Sequence, residues 1–281
     1  MALGLLYFLQ EKLIYVPALP GIPRDYPCYP DAFGLEYEDI WIESSDGVRL
    51  NAWLMWPQHW DTAQRANRPV IVFFQENAGN MSFRLPFLKA VTRLLDCSAF
   101  ILSYRGYGRS QGKPSEAGIQ KDAEAAMEHL LARQDIDPNR IVLMGRSLGG
   151  AVAIYAATVY KRQIKGLIVE NTFSSLEATA PQHFPILRPL VGPGKPCNWL
   201  LRNKWPSDVR IQNLKDLPVL FLSSTADEML HPRMMHDLYA VHPLDPWHFT
   251  SFEGARHMDC YDTHAAQYWP RLQEFIQILF P

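Results

Sequence analysis

The sequence predicts an α/β fold in which a mostly parallel central sheet carries helices on both faces. Three observations support this: 281 residues that are 48% hydrophobic, short apolar runs that alternate with helix-like segments, and polar motifs that directly follow the apolar runs. A chain of this size can bury a large core and fits one domain with an insertion better than two small domains. We therefore expect the functional groups at the carboxyl ends of the parallel strands.

The first 30 residues are predicted to form an apolar helix and a proline-rich arm, ahead of the main domain at residues 31–281. The apolar run ends at Glu11 and Lys12 and is too short for a bilayer span, which needs about 20 residues. It also lacks the basic start and cleavage site of a signal peptide. Three interpretations stay open: the end of a truncated membrane anchor, a helix lying at a membrane interface, and an ordinary helix that covers an apolar patch.

A β-hairpin is predicted next, followed by alternating strands and helices. Residues 35–42 partly alternate, Asp46-Gly47 is typical of a hairpin turn, and Val48 to Trp56 returns as the partner strand. The later strands are predicted at Val70 to Phe74, Ala99 to Tyr104, Arg140 to Met144, Gly166 to Val169, Val219 to Ser223 and Trp247 to Phe252. The helices are predicted near Leu85 to Leu95, Ser115 to Arg133, Gly149 to Tyr160, Pro232 to Val241 and Thr263 to Phe280.

The stretch from about residue 174 to residue 216 interrupts this alternation. It contains six prolines among many large apolar residues, and an apolar insertion beyond the strand ends is typical of a lid. From Pro181 to Asp216 it carries six basic and two acidic residues, although the whole chain has a formal net charge of -2. This pattern indicates either a lid that faces a membrane or a solvated surface loop.

Charge and cysteine content argue against several classes of function. A net charge of -2 lacks the strong basic excess that is typical of nucleic-acid-binding proteins, so we expect no nucleic-acid partner. Four cysteines are scattered along the chain without C-x-x-C or Cys/His spacing. Neither a disulfide scaffold nor a zinc site is indicated, and we expect reduced thiols, no metal and no cofactor.

A G-x-S-x-G motif from Gly145 to Gly149 identifies Ser147 as a candidate nucleophile. An apolar strand precedes the motif and a helix rich in small residues follows it. Both glycines are needed because a Cβ would clash where the strand turns into the helix, and the strained turn presents the serine hydroxyl to solvent. The backbone N–H of Leu148 would then face a developing oxyanion.

The same pattern occurs a second time, from Gly108 to Gly112. A chain of this length shows it by accident roughly one time in ten, so the pattern alone does not identify the nucleophile. Pro114 keeps Lys113 out of the helical region, and no helix can begin directly behind Ser110. Ser147 is therefore predicted to be the nucleophile and Ser110 a loop serine.

The chain order serine, acid, histidine predicts the partners of Ser147. A serine hydroxyl needs a neighbouring base that is itself oriented by an acid. Asp227 lies in the loop after the strand at residues 219–223, and His257, alone among nine histidines, lies directly after the final strand. Glu228 and Asp259 are rivals for the acid.

A second oxyanion donor is expected from the loop after Val70 to Phe74. This loop reads Gln75-Glu76-Asn77-Ala78-Gly79-Asn80. We predict that the backbone N–H of Asn77 supplies the donor.

With these residues assembled, the chain resembles the bud-emergence (Bem) subgroup of the α/β-hydrolases, which includes several animal alpha/beta hydrolase domain-containing proteins. The resemblance runs from about Leu13 to the end of the chain. It rests on Lys12 to Tyr15, Asp46 to Leu50, Asn77 to Asn80, Tyr104 to Ser110, Gly145 to Gly150, Glu170 to Phe173 and Asp227-Glu228.

The resemblance implies an α/β-hydrolase fold and a membrane-associated serine hydrolase with Ser147, Asp227 and His257 as its triad. It implies acyl esters or thioesters as substrates, and both a lysophospholipid and an S-acylated protein stay open because members of the subgroup differ. We expect a membrane location, or otherwise a cytoplasmic one. A peptidase or amidase and a non-catalytic binding module are the alternatives.

The oxyanion loop departs from the subgroup's usual pattern, in which His-Gly precedes Asn-Ala-Gly-Asn. Here Gln75 and Glu76 stand at those positions. A carboxylate beside an oxyanion is unfavourable by Coulomb's law unless it points away or is paired, with Arg105 or Arg146 as candidates. Our hypothesis is that Glu76 points away and structures the loop, while Asn77 still supplies its N–H.

Overall fold

A single eight-stranded sheet forms the centre of the molecule. The structure is a computed structural model that describes residues 2–18, 21, 23–242 and 248–281, and for residues 2–6 it describes the backbone alone. The strands of this described part are Leu35–Glu43 (β1), Arg49–Pro57 (β2), Val70–Phe74 (β3), Ser98–Leu102 (β4), Ile141–Arg146 (β5), Gly166–Glu170 (β6), Val219–Ser224 (β7) and Phe249–Phe252 (β8). Their order is β1-β2-β4-β3-β5-β6-β7-β8. The first two strands form the predicted antiparallel hairpin, β2 is antiparallel to β4, and every later pair is parallel.

Helices cover both faces of this sheet. The α-helices are Ala2–Ile14 (α1), Thr62–Ala66 (α2), Leu85–Leu94 (α3), Glu116–Leu131 (α4), Leu148–Tyr160 (α5), Leu176–His183 (α6), Ser207–Ile211 (α7), Arg233–Val241 (α8), Cys260–Thr263 (α9) and Ala265–Leu279 (α10). Short 3-10 helices lie at Pro30–Phe33, Met81–Arg84, Pro138–Arg140, Pro185–Leu187, Asn198–Leu200 and Gln212–Leu214.

Alternate side chains of the central strands pack into two separate hydrophobic cores, one on each face of the sheet. In β3, Val72 packs into the core shared with α4, α5 and α8, whereas Ile71 and Phe73 pack into the core shared with α3 and α10. Successive side chains of a strand point to opposite faces, so a strand that is apolar throughout is buried on both sides. The predicted mostly parallel sheet with helices on both faces is confirmed.

Most predicted boundaries lie within two residues of the observed ones, and two differences have physical causes. The last predicted helix, Thr263 to Phe280, agrees with α10, but the short helix α9 directly before it was not predicted. The two helices are separate because His264 leaves helical geometry (φ -118°, ψ 30°) and its ring lies 2.9 Å from the carbonyl oxygen of Glu253. α2 was not predicted, although Asp61 and Gln64 form a capping box at its start. The predicted start of the last strand, Trp247, lies outside the described residues.

The insertion between β6 and β7 lies over the carboxyl edge of the sheet and contains α6, α7 and several 3-10 helices. The predicted interval of residues 174–216 falls within it. α1 packs onto this insertion through Gln10, whose Nε2 donates to the carbonyl oxygen of Leu200 at 3.0 Å. The domain boundary at residue 31 and the movement of a lid stay predictions.

No helix within the described ranges combines the length and the apolar character that a bilayer span requires.

Candidate active site

Ser147 stands on the turn that joins β5 to α5. Its backbone angles are φ 55° and ψ -124°, a positive φ that residues with a side chain rarely adopt. The Ser147 N–H donates to the carbonyl oxygen of Glu170 at 3.0 Å, and Thr172 Oγ1 donates to the Ser147 carbonyl oxygen at 2.7 Å. Both bonds use the serine backbone, so the strained turn is held without its side chain.

Two glycines make room for this turn, as the motif predicted. A Cβ on Gly145 would lie 2.0 Å from the carbonyl oxygen of Gly149, and a Cβ on Gly149 would lie 1.9 Å from that of Phe74. Leu148 is the first residue of α5, and the first N–H groups of a helix have no partner inside it. Its N–H is therefore available to an anion beside Ser147.

Ser110, in the second copy of the motif, is a structural residue of a buried loop. Only 1% of its surface is exposed. Its Oγ donates to the carbonyl oxygen of Ser103 at 2.6 Å and accepts the N–H of Asn51 at 2.9 Å. The hydroxyl fastens the loop to the end of β4 and to β2, and the prediction of a loop serine is confirmed.

Asp227 and His257 meet beyond the ends of β7 and β8. His257 Nδ1 lies 2.7 Å from Asp227 Oδ2, and the two side chains are 6% and 2% exposed, respectively. The other carboxylate oxygen accepts the N–H groups of Met229 and Leu230, each at 2.8 Å. A carboxylate at Nδ1 leaves Nε2 as the ring nitrogen that can act on a substrate or a nucleophile.

The rival carboxylates contact the backbone of the same loop instead of the imidazole. Glu228 Oε2 accepts the N–H of His257 at 3.2 Å, and Asp259 Oδ1 accepts the N–H of Arg256 at 2.7 Å. Both shape the loop around His257, whereas Asp227 alone of the three contacts its ring.

Asn171, at the end of β6, joins the serine turn to the histidine loop, and we did not single out its role from the sequence. Asn171 Nδ2 donates to the carbonyl oxygen of His257 at 2.9 Å, and its Oδ1 accepts the N–H of Ser224 at 2.7 Å. Its φ is 45°, and asparagine is among the few residue types that tolerate a positive φ. Because Glu170, which precedes Asn171, accepts the Ser147 N–H, residues 170 and 171 connect the Ser147 backbone to the His257 backbone. None of the described hydrogen bonds joins Ser147 Oγ directly to His257.

The oxygen and the nitrogen of the Asn77 side-chain amide both hold its loop through hydrogen bonds. Its Oδ1 accepts the N–H of Val16 at 3.2 Å and the hydroxyl of Tyr107 at 2.8 Å, and its Nδ2 donates to the carbonyl oxygen of Ile14. The Asn77 N–H has no hydrogen-bond partner among the residues described. Asn77, Ser147 and Leu148 line one cavity, so the predicted oxyanion donors and the predicted nucleophile share it.

Glu76 is buried and paired with two arginines. Arg146 Nη1 lies 2.9 Å from its Oε1, and Arg84 contacts its Oε2. Of the two arginines considered as partners, Arg146 is the one that binds Glu76, whereas Arg105 binds Asp122. Burial raises the pKa of Glu76, but the charges of Arg84 and Arg146 outweigh it and hold that pKa below its usual value. Glu76 is therefore a carboxylate neutralised by guanidinium groups.

Arg146 extends this pair into a buried network below the serine turn. Its guanidinium binds both carboxylate oxygens of Glu170, at 2.7 and 3.1 Å. Glu170 also accepts the Tyr268 hydroxyl at 2.7 Å and the Cys260 thiol at 3.0 Å. Because buried charges are tolerated only when paired and hydrogen-bonded, the network ties the oxyanion loop, β5, β6 and the C-terminal helices into one unit.

The cavity beside Ser147 has a volume of about 340 Å³ and a mostly apolar wall. Its walls come from α1, the loop after β3, the start of α5, the insertion and the loop after β7. Apolar lining residues include Leu13, Phe173, Leu176, Phe184, Leu187 and Leu201. The cavity therefore places an apolar environment directly beside the Ser147 side chain.

Five neighbouring strands therefore each supply one element of the site, in the architecture of an α/β-hydrolase: Asn77 after β3, Ser147 after β5, Asn171 after β6, Asp227 after β7 and His257 after β8. Comparison with known proteins agrees with this class. The family model for serine aminopeptidase, S33, matches residues 92–213.

Relatives of known sequence extend the match to nearly the whole chain. The alpha/beta hydrolase domain-containing protein WAV2 of Arabidopsis thaliana is 43% identical over 287 residues, covering 99% of this chain and 91% of that protein. Protein bem46 of Schizosaccharomyces pombe is 37% identical, covering 92% and 83%. The chain therefore belongs to the α/β-hydrolase family of WAV2 and bem46, and the resemblance predicted from its motifs is confirmed.

A third relative and a solved structure were also compared with the chain. A protein of Saccharomyces cerevisiae whose name describes it as an uncharacterised membrane protein is 31% identical, covering 98% of this chain and 92% of that protein. The solved structure of the Pyrococcus furiosus esterase Pf2001 matches with a TM-score of 0.71 at 17% identity, covering 92% of this chain and 96% of that one. At this identity, the structural likeness establishes the fold alone.

Proposed function

We propose that this protein is a serine hydrolase that cleaves a carboxylic ester or thioester of an acyl group through an acyl-enzyme on Ser147. The observation that carries the proposal is the position of Ser147 on a strained turn at an apolar cavity, together with the Asp227–His257 pair on the loops after β7 and β8. This combination supplies a nucleophile, a base and a binding site for the acyl chain.

In the proposed mechanism, His257 Nε2 takes the proton of Ser147 Oγ as that oxygen attacks the acyl carbonyl carbon. Asp227 holds the ring and stabilises the imidazolium. The N–H groups of Asn77 and Leu148 donate to the oxyanion. The C–O or C–S bond then breaks, the leaving alcohol or thiol takes the proton from His257, and water hydrolyses the acyl-enzyme by the same steps. The Ser147–His257 hydrogen bond forms in the substrate complex, since such bonds are often long in free enzymes.

The apolar cavity favours an acyl ester or thioester over a peptide amine. The matched family model is named for serine aminopeptidases, and an aminopeptidase needs an acidic group near the substrate's α-ammonium. The described residues that line the cavity include no Asp or Glu. The acyl group of a lysophospholipid or of an S-acylated protein fits this lining better, and these two remain the proposed substrate sources.

The proposal predicts labelling by a fluorophosphonate probe that acyl esters block. We expect long-chain p-nitrophenyl esters, lysophospholipids or S-acyl peptides to slow labelling in competition, and matched N-acyl amides and aminoacyl amides to have little effect. The measurement is the labelling rate against competitor concentration. Competition by the aminoacyl amides alone would favour the peptidase, and no labelling of the folded protein would favour a non-catalytic binding module.

We further propose that the rim of the cavity lies on a membrane surface. Large apolar side chains are exposed on α1 and on the insertion: Phe8, Leu13, Phe184, Ile186 and Trp199. Leu13 and Phe184 also line the cavity, so the exposed apolar surface is continuous with its wall. Exposed apolar patches of this kind mark interaction sites, and a bilayer would deliver an acyl chain directly to the cavity.

The membrane proposal predicts that Ile186→Asp combined with Trp199→Asp weakens binding to phosphatidylcholine–phosphatidylserine vesicles about tenfold or more, because burying one large apolar side chain contributes about 1.5–3 kcal/mol. Ile186 and Trp199 are 84% and 69% exposed. Val159→Asp is the control, since Val159 is exposed at the far end of α5. Vesicle co-sedimentation measures the effect, and equal binding by both variants would contradict the proposal.

A further inference from the structure

The end of α1 is joined to the oxyanion loop through the side chain of Asn77. Asn77 Oδ1 accepts the N–H of Val16 at 3.2 Å, and Asn77 Nδ2 donates to the carbonyl oxygen of Ile14. The Gly79 N–H donates to the carbonyl oxygen of Val16 at 3.3 Å, and Val16 pairs with Ala78 as a parallel bridge. Segments far apart in the chain thus form one hydrogen-bonded unit.

Buried polar side chains fix α1 to the insertion. Gln10 is 2% exposed, and its Oε1 accepts the N–H of Arg202 at 2.8 Å. At the end of the helix, the Tyr15 hydroxyl donates to Asn203 Oδ1 at 2.9 Å and accepts the indole N–H of Trp205 at 3.0 Å. Because these groups are out of water, each lost bond leaves an unsatisfied partner, and α1 has a defined position.

The opposite side of the oxyanion loop is held by two buried tyrosines. The Tyr107 hydroxyl donates to Asn77 Oδ1 at 2.8 Å, and the Tyr104 hydroxyl donates to the carbonyl oxygen of Gln75 at 3.0 Å. Burial raises the pKa of both tyrosines, which keeps them neutral donors. The Asn77 amide is therefore the group that contacts α1 on one side and the rigid tyrosine pair on the other.

The same helix also touches the space where the acyl chain would lie. Gln10, Leu13, Ile14 and Val16 line the cavity together with Ser147 and Asn77. Binding of the acyl chain against α1 and alignment of the Asn77 N–H consequently depend on one structural element.

We infer that the Asn77 side chain is a positioning group through which α1 aligns the oxyanion hole. The inference rests on the proposed function. The amide fixes the Asn77 backbone between α1 and Tyr107, and this sets the direction of the N–H that faces the developing oxyanion. Preorganised donors stabilise a transition state because they need no reorientation during the reaction. Breaking the link between α1 and Asn77 should therefore slow acyl transfer more than it weakens substrate binding.

A double-mutant cycle between Tyr15→Phe and Asn77→Ala tests this inference. Asn77→Ala keeps the backbone N–H but removes its support, and since loss of a complete oxyanion donor costs about 10²–10³ in kcat, we expect a decrease of about tenfold or more. Tyr15 does not line the cavity, so Tyr15→Phe should lower kcat several-fold with little change in KM. In the Asn77→Ala background, Tyr15→Phe should have almost no further effect, because its action passes through Asn77.

An alkyl trifluoromethyl ketone gives a readout that altered stability alone would not move. It forms a hemiketal with a serine nucleophile, and its oxyanion occupies the hole. We expect its Ki to rise by the same factor as kcat/KM falls. The control is Tyr26→Phe, which removes another buried hydroxyl, 3.0 Å from Ser103 Oγ, and should leave kcat and Ki unchanged.

Additive effects of the two substitutions, or an unchanged ketone Ki in Asn77→Ala, would overturn the inference while the enzyme remains active. If Asn77→Ala does not fold, Tyr107→Phe takes its place, because it removes one hydrogen bond to the same amide oxygen. A folded wild-type protein that neither reacts with fluorophosphonate nor hydrolyses any acyl ester would overturn the proposed function, and this inference with it.

Discussion

Ser147→Ala should reduce kcat for acyl-ester hydrolysis by roughly 10⁵–10⁶-fold, the scale seen when a serine hydrolase loses its nucleophile. Without Oγ no acyl-enzyme can form, and fluorophosphonate labelling should disappear. The fold should be preserved, because the hydrogen bonds described for residue 147 all involve its backbone. Alanine also bears the same strain as serine at φ 55°. Initial rates and probe labelling, with thermal unfolding to verify the fold, measure the effect.

Ser110→Ala is the matched control, because Ser110 occupies the same position in a second copy of the motif. We expect unchanged kcat per folded molecule and unchanged labelling. The variant should instead lose stability by about 1–3 kcal/mol, since the Asn51 N–H and the Ser103 carbonyl oxygen lose a buried partner. Labelling that survives in Ser147→Ala and disappears in Ser110→Ala would reverse the assignment of the nucleophile.

The sheet could be predicted from the sequence because most of its parallel strands are short, largely apolar and bounded by turn residues. β3 was predicted at its observed bounds, and the hairpin of β1 and β2 was visible from Asp46-Gly47. α6 and α7 were missed, since closely spaced prolines conceal the helical pattern and Pro181 lies inside α6 itself. Their form depends on packing over the cavity, which a local pattern does not encode.

The candidate site could be predicted where one residue type in one context has a specific chemical use. Gly145 and Gly149 identified the serine turn in this way. Asn171 and Arg84 could not be found by the same reasoning, because their roles depend on contacts between segments that are distant in the sequence: Asn171 contacts the histidine loop, and Arg84 neutralises Glu76. The position of Glu76 beside an oxyanion donor was the available signal, because a carboxylate there must either point away or be paired with a cation.

Asp227→Asn should lower kcat about 10⁴-fold at neutral pH, although its side chain keeps its shape. Asparagine Oδ1 can still accept the N–H groups of Met229 and Leu230, so we expect a small change in stability. Its amide would present N–H donors to His257 Nδ1 in place of the carboxylate oxygen at 2.7 Å. The ring would then carry its proton on Nε2, and Nε2 could not take the proton of Ser147.

Glu228→Gln is the matched control for the acid, because Glu228 is the adjacent carboxylate and accepts the backbone N–H of His257 at 3.2 Å. A glutamine oxygen can accept that same bond, and the tautomer of the ring does not depend on it. We expect kcat to change by less than about threefold, because an exposed contact of this kind contributes well under about 1 kcal/mol. Equal losses of kcat in the two variants would show that negative charge near His257 matters more than the contact of Asp227 with Nδ1. A large loss in Glu228→Gln alone would transfer the role of the acid to Glu228.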